Sequence, residues 1–131
     1  GPLEIKLIKL IEHYKLQGQV NLLGYQKNPY MWISRADAFV LSSYYEGFPN
    51  VVLEALSCST PVISTPAPGG AKEILESIDG CYLSKEISAT SIMKAISDFT
   101  ESKQQKITDN AVEPYKPEKI CNEYMDVFLN E

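Results

Sequence analysis

Leu3, Leu7, Leu10, Ile11 and Tyr14 recur at helical spacing, with Lys6, Lys9, Glu12 and Lys15 on the rest of the cylinder. This predicts an amphipathic helix over residues 3–16, ended by Gly18. The period then changes. "QVNLLG" is an apolar run of strand length, and "NPYMWISRA" opens a helix with Asn28 as N-cap and Pro29 as first helical residue. The alternation continues: "DAFVLSS" as strand, "PNVVLEALSC" as helix, "PVIST" as strand, "AKEILES" as short helix and "GCYLS" as strand. Short, nearly continuous apolar strands alternating with helices imply a parallel sheet covered on both faces, because right-handed crossovers place the helices there. The predicted class is α/β, doubly wound.

After Ser84 the pattern is helical again. Ile92, Ala95, Ile96 and Phe99 form one stripe, and Ile120, Tyr124, Val127 and Phe128 another. The intervening "SKQQKITDNAVEPYKPEK" is polar and interrupted by Pro114 and Pro117, as expected of a frayed helix and linker. No internal repeat is present. With 131 residues, 44% of them hydrophobic, the expectation is one domain, residues 1–131.

The formal net charge of −5 argues against nucleic acid as a partner, since phosphate backbones demand clustered Lys and Arg. Cys58, Cys81 and Cys121 are odd in number, widely spaced and lack a C-x-x-C pair, so neither a disulfide framework nor a zinc site is expected. With no run near the ~20 apolar residues of a membrane span and no signal-peptide pattern, a reducing cytoplasm is the expected location. Gly1-Pro2 reads as a remnant of tag cleavage, which makes the chain an expected piece of a longer protein.

In doubly wound sheets, ligands bind beyond the carboxyl ends of the strands, which here carry "SSYYEGFPN" and "STPAPGG". Pro49 suits a first helical position, making Phe48 an N-cap without a side-chain acceptor. The amides of Asn50, Val51 and Val52 are then expected to point outward as a phosphate site, with Gly47 allowing close approach to the backbone. Glu46 precedes this turn and Glu54 follows about two turns into the helix, so the two carboxylates face different parts of a ligand. A carboxylate accepts bidentate bonds from neighbouring hydroxyls, as a sugar or ribose diol offers. Phosphate on the amides and a polyol at each carboxylate describe a nucleotide sugar. The bland alternative is that Glu46 meets the helix dipole and Glu54 is solvated.

The stretch "ADAFVLSSYYEGFPNVVLEALSCSTPVIST…GGAKEIL" closely resembles the donor-binding signature of the group 1 glycosyltransferases, a retaining family with two Rossmann-like domains, the GT-B fold. The likeness runs from about "VNLLGYQKNPY" to "GCYLS", some half of the chain, and includes the E-x7-E motif as Glu46 and Glu54. It implies a truncated, Rossmann-like carboxy-terminal domain with carboxy-terminal helices, part of a donor-binding domain. Glu46 would hold the transferred sugar and act in catalysis, Glu54 would hold the ribose, and the backbone from Phe48 through Pro49, Asn50 and Val51 to Val52 would hold sugar and diphosphate. The implied partners are a nucleoside diphosphate sugar, UDP-linked, and an unidentified acceptor. No metal or cofactor is implied, and the chain has no Asp-x-Asp pair. A non-catalytic nucleotide-sugar-binding or interaction module is the alternative function. For the full-length protein, peripheral attachment at the inner face of the membrane is a second expected location.

The chain departs from the family in two respects. Ser59 stands where the family usually has Gly, which would alter helix termination. The basic "GR…K" segment that neutralises the diphosphate is not in the chain, nor are the first two strands of the donor domain. The sheet is therefore expected to leave a gap, pair differently, or borrow a partner by dimerising.

Other residues carry plainer expectations. His13 is expected to be a solvated surface residue, Tyr30 and Trp32 to be core, and Tyr25 to lie where a base could rest. One of Tyr44 and Tyr45 is expected to face the core. Gly69-Gly70 is a turn or a second phosphate-binding backbone, and Ser42 and Ser43 are expected to satisfy loop amides.

Overall fold

Strands β1 (Phe39–Leu41), β2 (Val62–Ser64) and β3 (Tyr82–Leu83) pair in parallel, in the order β1-β2-β3, in a computed structural model that describes residues 1–102, 107–108 and 110–129. The register sets Phe39 opposite Val62 and Leu41 opposite Ser64, with Ile63 opposite Tyr82. Because side chains alternate along a strand, β2 and β3 each feed two cores. On one face Val62, Phe39, Leu41 and Leu83 meet α3 (Asn50–Ser57) and α4 (Ala71–Leu75) through Val52, Ala55, Leu56, Ile74 and Leu75. On the other, Ile63 and Tyr82 meet Ala95, Phe99 and Ile92 of α5 (Ala89–Glu101), with the Tyr82 and Phe99 rings edge to face at 5.9 Å. Each such side chain contributes about 1.5–3 kcal/mol when fully buried. The architecture is α/β and doubly wound, as the alternating pattern predicts.

Local chemistry explains the helix boundaries. Ser88, extended at φ −146°, accepts the Ser91 amide on its hydroxyl and so opens α5. Pro29 and Pro49 cap α2 (Tyr30–Ile33) and α3 rather than opening them, so Asn28 and Phe48 are not the N-caps. At Pro49 the reason is its ψ of 79°, outside the helical basin. The first helix, α1 (Glu4–His13), stops before Gly18 because Lys15 turns left-handed at φ +56°. There the Leu16 amide bonds the Ile11 carbonyl at 2.9 Å and the Lys15 amide that of Glu12 at 3.1 Å, a Schellman closure.

Two expectations, the strand at "QVNLLG" and the core placement of Tyr30 and Trp32, fail for one reason: an apolar stripe needs an opposing layer. "QVNLLG" forms no ladder, and Val20, Leu22 and Leu23 are exposed, so among the described residues β1 pairs with β2 alone. The stripes of α1 and of α6 (Pro117–Leu129) bury no residue. Tyr30 and Trp32 are about half exposed rather than core, while His13 lies on the surface as expected.

The segment read as a linker does more than connect. Ile107 is buried in the α3–α4 core, and Ala111, Val112 and Tyr115 pack against the same cluster around a short 3-10 turn, Glu113–Tyr115. Of the stretch 102–119 expected to be frayed helix and linker, residues 103–106 and 109 lie outside the described residues.

At the end of α3, the Thr60 amide bonds the Ala55 carbonyl at 3.0 Å and the Ser59 amide that of Leu56 at 2.9 Å, a second Schellman closure with Ser59 left-handed at φ +57°. A non-glycine residue is disfavoured there by about 1–2 kcal/mol, partly offset by the freedom glycine has when unfolded. Ser59→Gly is therefore expected to stabilise the chain by about 0.5–1 kcal/mol, a rise of roughly 3 °C in a thermal melt. An unchanged or lower Tm would contradict this account of the turn.

Candidate active site

At the carboxyl edge of the sheet the chain leaves β1 through Ser42–Pro49 and enters α3, and it leaves β2 through Thr65–Gly70 and enters α4. The two exits are bonded to each other. The Thr65 amide donates to the Leu41 carbonyl at 3.0 Å, and the Thr65 hydroxyl donates to the Ser43 carbonyl at 2.6 Å. The Glu46 amide donates to the Pro68 carbonyl at 3.1 Å. Glu46 is half-buried, and its Oε1 accepts a 2.5 Å hydrogen bond from Ser43 Oγ, short as expected when the acceptor is a carboxylate. Ser43 thus serves a carboxylate rather than loop amides.

Glu54 is also half-buried, and its carboxylate makes no hydrogen bond among the described residues. With α3 beginning at Asn50, Glu54 lies a little over one turn into the helix, ~6 Å along its axis, not two turns. The one-residue later start accounts for only ~1.5 Å of this, since even from Pro49 the count is about 1.4 turns.

The expected row of outward amides is thinner than the sequence implies. The Asn50 amide folds back onto the Phe48 carbonyl at 3.0 Å, and the Val52 amide bonds that of Pro49 at 2.9 Å. The amides of Gly47, Phe48 and Val51 make no hydrogen bond among the described residues. The side chains of Pro49 and Val52 are buried, whereas Gly47, Phe48, Asn50 and Val51 reach the surface. Pro49 and Val52 therefore anchor the turn to the core while their neighbours line the edge.

Gly69 and Gly70 have a structural duty. A Cβ on Gly69 would lie 1.8 Å from the Glu46 carbonyl oxygen and 2.3 Å from that of Gly47, and its φ is +113°. Gly70, at φ +92°, lies under Phe48 and Pro49, where an added Cβ would sit 3.4 Å from each. At Gly69 this is close backbone packing of the second exit on the Glu46 turn, in which glycine is required, whereas at Gly70 the contacts are ordinary and the positive φ is what favours glycine. At Gly47, by contrast, a Cβ would meet nothing within 4 Å.

Tyr44 and Tyr45 are both exposed, so neither faces the core, and Tyr25 is 93% exposed. Lys72 pairs with Glu76 at 3.4 Å, away from the turn's own bonds. Beside the site, Ser42, Tyr44, Thr65, Ser88 and Ile92 line a cavity of about 270 Å³. Thr65 is the site residue that sequence reasoning missed; a hydroxyl at a buried strand exit, opposite another strand exit, was its one signal.

Fold and site together define a doubly wound α/β protein with two carboxylates flanking a strand-to-helix turn at the carboxyl edge of a parallel sheet. Residues 1–114 match the family "Glycosyl transferases group 1", and the chain belongs to it. An uncharacterised glycosyltransferase of Methanocaldococcus jannaschii is 51% identical over 75 residues, 57% of this chain and 18% of that protein. The N-acetylgalactosamine-N,N'-diacetylbacillosaminyl-diphospho-undecaprenol 4-alpha-N-acetylgalactosaminyltransferase of Campylobacter jejuni is 39% identical over 74 residues, 56% of this chain and 20% of that protein. N-acetyl-alpha-D-glucosaminyl L-malate synthase of Bacillus anthracis is 25% identical over 136 residues, 99% of this chain and 35% of that protein. The alignments thus span between about a tenth and a third of these and similar relatives. Among the described residues no helix is long and apolar enough to cross a membrane.

The two glycines beside Glu46 separate close packing from open space. Gly69→Ala is expected to cost at least ~3 kcal/mol, because a strained φ adds to a backbone clash. Gly47→Ala is expected to change stability by less than about 0.5 kcal/mol. Urea unfolding of both variants measures the difference, and equal midpoints would refute the packing described.

Proposed function

We propose that this chain is the donor-binding part of a retaining glycosyltransferase that uses a nucleoside diphosphate sugar, UDP-linked. The reading is carried by one observation: Glu46 and Glu54 flank the turn from β1 into α3 at the edge of the sheet where doubly wound folds take their ligands. Glu46 accepts hydrogen bonds from hydroxyls of the transferred sugar. Glu54, with no internal partner among the described residues, accepts them from the ribose. The Phe48 and Val51 amides, with Gly47 leaving room beside them, serve the sugar and diphosphate. Pro49 and Val52 hold that backbone in place from the core, and Asn50 forms the rim of the turn.

The chemistry follows from where charge develops. As the glycosidic bond to the diphosphate breaks, the sugar becomes oxocarbenium-like and the leaving group gains negative charge. Amides aimed at that diphosphate stabilise it without reorganising, while a fixed carboxylate holds the sugar. Family membership supports this reading, as do relatives named for N-acetylgalactosaminyl and N-acetylglucosaminyl chemistry. Those names make UDP-linked N-acetylhexosamines the first donors to test. The acceptor is contacted by parts of the whole enzyme beyond this chain.

In the whole enzyme, Glu46→Gln is expected to lower kcat about a hundredfold or more with a small change in donor KM. Glu54→Gln is expected to raise donor KM roughly tenfold, consistent with loss of charge-assisted hydrogen bonds to the ribose. Steady-state kinetics with a panel of UDP-, GDP- and ADP-sugars checks both. Full transfer activity in Glu46→Gln would end the assignment of Glu46, and a uniform response to all three nucleotides would end that of UDP.

A further inference from the structure

We infer that Thr65 is a positioning residue for the Glu46 carboxylate and acts through Ser43; the inference rests on the donor-site reading of Glu46. Thr65 is 2% exposed and its hydroxyl is engaged by the Ser43 carbonyl, so it acts on geometry through that bond. It stands just after β2 and spans the two strand exits with two bonds, its amide on the Leu41 carbonyl and its hydroxyl on the Ser43 carbonyl at 2.6 Å. Those bonds hold the Ser43 backbone on the path where its Oγ reaches Glu46 Oε1. A glutamate on a loop has three side-chain torsions to lose, and this hydrogen bond selects among them.

The same loop also holds the Glu46 backbone. The Pro68 carbonyl accepts the Glu46 amide, and Gly69 packs directly on the Glu46 carbonyl. The β2 exit thus governs the β1 carboxylate at both ends, main chain and side chain. Thr suits the role better than Ser, because its methyl group restricts χ1 and keeps the hydroxyl on the Ser43 carbonyl.

A purely structural threonine would lower stability and leave turnover per folded molecule unchanged. A positioning threonine alters kcat through Ser43. The test is steady-state kinetics of the whole enzyme, corrected for the folded fraction, with Thr65→Val, Thr65→Ser, Ser43→Ala and the Ser43→Ala/Thr65→Val double variant beside Glu46→Gln. The expected result is a kcat about tenfold lower in Thr65→Val, with donor KM within about twofold, and recovery to within about twofold in Thr65→Ser. Ser43→Ala should fall at least as far, and the double variant no further than Ser43→Ala, because both changes break one chain of contacts. Multiplicative losses in the double variant would overturn the inference, as would normal kcat in Thr65→Val. Normal kcat in Ser43→Ala would do so even if Thr65→Val failed to fold. If Glu46→Gln is crippled while these variants are active, only the positioning role falls; if Glu46→Gln is itself fully active, the donor-site reading falls with it.

Discussion

The pairing of β1 with β2 is the contact on which the rest of the molecule depends. Its ladder runs from the Phe39 amide on the Pro61 carbonyl to the Thr65 amide on the Leu41 carbonyl, and beyond the last rung both chains turn outward together. Because the strands are parallel, both exits open on the same edge, one into α3 and the other into α4. A carboxylate on one exit is therefore held by groups on the other. No element of either βα unit alone could supply the Thr65, Pro68 and Gly69 contacts to the Ser43–Gly47 turn.

Stability is concentrated around that ladder. Val62 and Ile63 are adjacent, essentially fully buried, and belong to different cores, so one dipeptide joins the α3–α4 layer to α5. Ile107 and Tyr115 close the first layer from a segment far along the chain. The flanking helices α1 and α6 retain apolar stripes exposed to solvent, and the outer edge of β1 is unpaired among the described residues. Burial is thus greatest along β2 and the helices packed on it, and least along α1 and α6.

Much of the fold was legible from residue pattern. Short, nearly continuous apolar runs around Phe39–Leu41 and Val62–Ser64, helical stripes at Asn50–Ser57 and Ala89–Glu101, and the spacing of Glu46 and Glu54 all follow from side-chain chemistry along one dimension. Failures came where the outcome depends on a neighbour. Val20–Leu23 has strand composition and no ladder, and Trp32 has core composition and no layer above it. The Asn50 amide folds back onto the Phe48 carbonyl because Pro49 adopts ψ 79°, a choice that composition does not dictate.

By itself the sequence determined the alternation of elements, the parallel class and the two carboxylates bracketing a turn, since periodicity, proline and glycine act through local sterics and hydrophobic burial. Only the tertiary structure decided that Gly69 must be glycine because a carbonyl of Glu46 passes against it, and that Ser43 spends its hydroxyl on that glutamate. It also brought Thr65, 22 positions beyond Ser43 along the chain, within 2.6 Å of its carbonyl. Such contacts join residues remote in sequence, and their geometry is set by how two strands lie side by side, a relation that the order of residues along one strand does not contain.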